Sequence, residues 1–71
     1  MTWHHYTKNK RARIAAEYDH YADELLHEAS QLEAAGQQDS AAIHRRGAQA
    51  NRDVADAARE SSRRLNEILN S

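Results

Sequence analysis

The sequence predicts an all-α fold, an antiparallel two-helix hairpin, on three observations. Proline is absent, and the two glycines are Gly36 and Gly47. Alanine, glutamate, arginine and glutamine, all good helix formers, are abundant, and no β-branched run reaches strand length. One short break, Ala34-Ala35-Gly36-Gln37-Gln38-Asp39, parts two stretches of helical periodicity. Gly36 can take the left-handed conformation that closes a helix, and Asp39 can cap the next one. The expected layout is one domain, 1–71, with helix 1 at about 7–35, a turn at 36–38 and helix 2 at about 39–69.

Helix 1 starts after a threonine cap, either Thr2 or Thr7. Its apolar stripe runs Ile14, Tyr18, Tyr21, Leu25, Ala29, Leu32, in steps of four, three, four, four and three. That spacing is nearer eleven residues in three turns than a strict heptad. Ala15, Ala22 and Leu26 widen the stripe on one flank. After Arg13 this helix carries six acids, Glu17, Asp19, Asp23, Glu24, Glu28 and Glu33, and no Lys or Arg.

Helix 2 repeats the spacing with Ile43, Gly47, Ala50, Val54, Ala58, Ser61, Leu65 and Leu69. Folding the chain back near residue 37 sets Leu32 against Ile43, Leu25 against Ala50, Tyr21 against Val54 and Ile14 against Ser61. Most bulky groups then meet small ones, as close helix packing requires. These two stripes, apart from Ser61 and Leu69, are the expected hairpin core. The second helix holds most of the arginine and the first most of the acid, so pairs across the hairpin set its orientation.

A chain of 71 residues without cysteine has no disulfide or thiolate staple for a thin core. Self-association is therefore expected, most simply as a homodimeric four-helix bundle with Ala15, Ala22, Leu26 and Ala55 at its seam. The same register gathers Trp3, Tyr6, Leu65, Ile68 and Leu69 at the open end. Lys8, Lys10, Arg11, Arg13, Arg63 and Arg64 surround them. These residues either close the end of the hairpin or form a partner-docking patch, with aromatic anchors inside a basic collar.

Other functions find little footing. A net charge of −1 argues against a general phosphate binder, although a small dimeric RNA-regulatory bundle is the alternative. A structural subunit of a larger helical assembly is a third reading. His20, Glu24 and His27 share a helix face, but one helix closes a tetrahedral metal site poorly, so no metal or other cofactor is expected. With no phosphate loop, nucleophile elbow or enclosing pocket, the chain reads as non-enzymatic. It has no signal-peptide or membrane-spanning stretch, so a cytoplasmic location is expected.

The turn Leu32-Glu33-Ala34-Ala35-Gly36-Gln37-Gln38-Asp39-Ser40-Ala41-Ala42-Ile43 is similar to the inter-helix turn of tetratricopeptide-type hairpins, as shared turn physics in a chain with one hairpin. As a whole the chain resembles small phage-encoded helical hairpins, the early anti-activator, anti-quorum-sensing proteins of Mu-like Pseudomonas phages. The resemblance lies in size, the single glycine turn, the aromatic-basic start Trp3-His4-His5-Tyr6-Thr7-Lys8 and composition. It implies a dimer in the host bacterial cytoplasm that blocks a LuxR-type transcriptional activator, and also the ATPase of pilus extension.

Overall fold

A computed structural model describes residues 3–70. The chain is all-α, with no strand among the described residues. Helix α1 spans Lys8–Ala34, α2 Gln38–Glu60 and α3 Ser62–Leu69. Thr7 caps α1: its side chain accepts the Lys10 N–H at 3.2 Å. The other expected cap, Thr2, lies outside the described residues. No helix among those described is long and apolar enough to cross a membrane.

The turn closes as its glycine dictates. Gly36 has φ +81°, the Gln37 N–H donates to the Leu32 carbonyl at 2.8 Å, and the Gly36 N–H donates to Glu33 at 3.0 Å. This pair of bonds satisfies carbonyls that the end of α1 would leave open. Asp39 is not the N-cap of α2. That position falls to Gln37, which makes no side-chain cap bond, and Asp39 sits in the first turn instead. There its charge faces the positive end of the helix dipole.

The interface between α1 and α2 departs most from expectation. Its buried line is alanine: Ala15, Ala22 and Ala29 on α1, Ala41, Ala48 and Ala55 on α2. Both sets recur every seven residues. Pairing Ala15 with Ala55, Ala22 with Ala48 and Ala29 with Ala41 keeps one antiparallel register. Side chains this small let two backbones approach closely, and no bulky group fits between them.

Part of the expected subunit seam therefore lies in the core of a single chain. Ala15, Ala22 and Ala55, expected between two subunits, are buried inside one chain. Leu26, expected with them, is half-buried at the edge. Tyr21, Ile43 and Ala50, expected in the hairpin core, are exposed. Ile14, Tyr18, Leu25, Leu32, Gly47 and Val54 are half-buried along one flank, while Ala29, Ala58 and Leu65 are buried. Leu25 lies over Gly47 rather than Ala50, with its Cδ1 3.3 Å from where a Cβ on that glycine would stand.

The second departure is at Ser61. Helix 2 was expected to run unbroken to residue 69, but Ser61 is extended, with φ −171° and ψ 162°. Its N–H still closes α2 on the Ala57 carbonyl at 3.2 Å, while its hydroxyl accepts the Arg64 N–H at 3.0 Å. One residue thus caps both helices. The bend swings Leu65 into full burial against Ala15, Ala55 and Ala58, with Ile14, Tyr18, Val54 and Ile68 packed around them. Burying a leucine is worth about 1.5–3 kcal/mol and a serine cap about 1 kcal/mol. Both offset the backbone bonds lost at the break.

The result is thin, 44 × 23 × 15 Å. Beside the alanine line it has two unlike faces. On one, Arg45 pairs with Glu33, Arg52 with Asp23 at 3.5 Å, and Arg59 with Asp19. The hydrogen bond to Asp19 holds the Arg59 guanidinium above its usual pKa. The other face carries the half-buried and exposed apolar groups. Tyr18 and Tyr21 meet there edge to face at 5.6 Å.

Candidate interaction surface

At the open end, residues 3–7 run as an irregular arm beside α3. Asn66, 1 % exposed, fixes the arm through its backbone. The Asn66 Oδ1 accepts the His4 N–H at 2.9 Å, and its Nδ2 donates to the His4 carbonyl at 2.6 Å and to the Ser62 carbonyl at 2.8 Å. Ser62 Oγ accepts the Tyr6 N–H at 3.0 Å and donates to the His4 carbonyl at 3.3 Å. The amide acts as a strand partner would, meeting one residue's donor and acceptor together. A buried amide without those partners would cost about 1–3 kcal/mol, so arm and helix hold each other in place.

The expected aromatic-aliphatic cluster divides in two. Tyr6, Leu65 and Ile68 pack into the core at this end. Trp3 and Leu69 stay outside, 63 % and 44 % exposed. Trp3 precedes the pinned His4, and Leu69 lies one helical turn beyond Asn66, so the clamp brings both to the arm–α3 edge.

The expected basic collar divides as well. Arg11 is half-buried; its Nη1 donates to the Ala58 carbonyl at 2.8 Å and to Arg59 at 3.4 Å, at the end of α2. A cation suits carbonyls left open at a helix C-terminus. Its Nε is buried without a hydrogen-bond partner. Arg63 pairs with Glu67 at 3.4 Å, and Arg64 with Glu60 at 3.5 Å and Glu67 at 3.3 Å. Lys8, Lys10 and Arg13 remain exposed, and the Lys10 ammonium sits 5.8 Å from the centre of the Tyr6 ring.

His20, His27 and His44 are engaged by neighbouring side chains or backbone. His20 Nε2 lies 2.5 Å from Glu24, and His27 is 3.4 Å from Gln31. Among the described residues no group of three His, Cys, Asp or Glu side chains is placed to hold a metal ion. Across the apolar face, His44 faces the Ser40 carbonyl at 2.8 Å through Nδ1 and Glu28 at 3.2 Å through Nε2. A shallow depression there is lined by Glu28, Gln31, Leu32, Ser40 and His44.

Sequence reasoning missed Asn66 and Ser62. An asparagine amid Leu65, Ile68 and Leu69 was the available signal, because a polar residue on a buried helix face must find partners. Comparison with known protein families, curated proteins and solved structures returned no match.

Proposed function

We propose that the chain is a non-enzymatic protein-interaction inhibitor that docks on a bacterial host regulator through its open end. In this reading it works as a homodimer, two helical hairpins forming a four-helix bundle. The regulator is a LuxR-type transcriptional activator, as the resemblance to phage anti-activators implies, with the pilus-extension ATPase as a second target. The observation that carries the docking reading is Trp3, left 63 % exposed beside a backbone pinned at His4. Ordering an aromatic before it binds lowers the entropy lost on association, and tryptophan is a frequent anchor of protein interfaces. Leu69 extends the apolar patch, and exposed Lys8, Lys10 and Arg13 supply a basic rim suited to an acidic partner surface.

The test replaces Trp3 and Leu69 together by aspartate and measures release of operator DNA from a purified LuxR-type activator. The unsubstituted chain is expected to release the operator and the double variant to lose that effect, with helix content unchanged by circular dichroism. A folded double variant that still releases the DNA would remove the open end as the docking site. Failure of the unsubstituted chain on both the activator and the ATPase would remove the proposed targets.

A further inference from the structure

Resting on the reading of the chain as a pair, we infer that the pair forms through the apolar face between α3 and the turn, with a second copy of this chain as its occupant. The face is assigned by what the alanine line displaces. Leu65 and Ile68 of α3 pack with Ile14, Tyr18 and Val54 at the open end. Towards the turn, Tyr21 and Ile43 are 46 % and 59 % exposed, and Leu25 and Leu32 are half-buried. The opposite face carries three Arg–acid pairs against the single His44–Glu28 contact here, so covering it would strip solvent from more charge without supplying partners.

Area and shape fit a second copy. The chain exposes 5061 Å². A compact monomer of its 8.1 kDa mass exposes about 4,500 Å². The surplus approaches the roughly 600–1,000 Å² that each partner contributes to a specific interface. The radius of gyration is 14.1 Å, against about 11 Å for a compact chain of this length and about 14–15 Å for one of twice the length. One copy therefore already has the reach of a compact dimer but half its substance. Laying a second 15 Å slab on the apolar face restores ordinary proportions and buries the tyrosines and Ile43.

The experiment measures mass against concentration by sedimentation for the full chain and for three variants, Tyr21→Lys, Ile43→Lys and Ser30→Lys. Ser30 is exposed beside Ala29, on the charged side. The unsubstituted chain is expected at twice 8.1 kDa. Because Tyr21 and Ile43 are exposed in the single chain, Tyr21→Lys and Ile43→Lys should keep their helix content. Each should weaken pairing by roughly thirtyfold or more, as loss of an interface anchor does, while Ser30→Lys leaves it unchanged. A folded monomer at every concentration would overturn the pairing itself. A dimer indifferent to Tyr21→Lys and Ile43→Lys, or disrupted by Ser30→Lys, would overturn the face and leave the pairing standing.

Discussion

The two faces beside the alanine line share a heptad register and differ in everything else. Four residues after Ala41, Ala48 and Ala55 come Arg45, Arg52 and Arg59. Four after Ala15 and Ala29 come Asp19 and Glu33. Three after Ala15, Ala22 and Ala29 come Tyr18, Leu25 and Leu32. A single residue's offset, about 100° around the helix, separates a charged surface from an apolar one. The charged face is complete within one chain because each arginine finds its acid. The apolar face is not, because its large groups meet a neighbour on only one side. A small hairpin can thus close its centre with alanine and salt bridges and leave Tyr21 and Ile43 on its surface.

The largest expected effect comes from the line between the faces. Ala48 is 2 % exposed on the alanine seam. Ala48→Leu forces a branched side chain between closely set backbones and should cost about 1–3 kcal/mol. A single core of this size rarely supplies more than about 3–5 kcal/mol, so the loss is a large share of the total. Urea denaturation followed by circular dichroism checks it. The same enlargement two residues on, Ala50→Leu, falls on an exposed position and should change stability by less than about 0.5 kcal/mol. Equal costs at the two sites would mean that the alanines do not form the seam.

This seam could have been read from the sequence, for alanine repeats every seven residues in both helices. It was obscured because a stripe of larger residues, Ile14, Tyr18, Tyr21 and Leu25, runs beside it with a helical period of its own. Burial per residue favours the large stripe, whereas close backbone approach favours the small one, and here the close approach prevails. The turn was legible because Gly36 has one plain use, the left-handed closure it makes at φ +81°. The bend at Ser61 was less legible, since a serine can ride inside a helix or cap one, and only the burial of Leu65 decides between them. At Asn66 the sequence signals that a polar residue on an apolar helix face needs partners, but not which ones. Those partners are the backbone groups of His4, 62 residues away in sequence, and no periodicity within a helix records a contact of that kind. For the same reason the sequence gathers the open-end residues without sorting them into packed Tyr6 and Leu65 and exposed Trp3 and Leu69.

The apolar face should respond more gently, and in the opposite direction, at Gly47. A glycine inside a helix costs about 0.8–1 kcal/mol relative to alanine. The Cβ that Gly47→Ala adds would stand 3.3 Å from Leu25 Cδ1, the end of a half-buried side chain that can move outward by a few tenths of an ångström. The variant is expected to be more stable by up to about 1 kcal/mol, read as a higher denaturation midpoint at fixed chain concentration. A lower midpoint would show that Leu25 is held more tightly than its exposure suggests, and that this face is already closed within one chain.

The smallest effect belongs to the charged face. Arg52 and Asp23 approach to 3.5 Å with both side chains well exposed. Exposed pairs contribute about 0–1 kcal/mol, so Arg52→Gln should cost a few tenths in dilute buffer. In roughly 1 M salt, where the screening length falls to about 3 Å, the difference between the variant and the unsubstituted chain should vanish. Sulfate would act oppositely on the apolar face, strengthening burial there and favouring pairing. Were Arg52→Gln to cost more than about 1 kcal/mol and keep that cost in high salt, the charged face would be part of what holds the hairpin together. A face worth only tenths still has a task, because it selects among arrangements of similar packing energy. Antiparallel helices bring Arg45 to Glu33, Arg52 to Asp23 and Arg59 to Asp19 all at once. A slip of one heptad would still match alanine with alanine over most of the seam and, because Arg45, Arg52 and Arg59 also recur every seven residues, would re-pair two of the three arginines and strand the third. The salt bridges therefore favour this register by one exposed pair, about 0–1 kcal/mol, and the short turn closed at Gly36 supplies the rest of the selection.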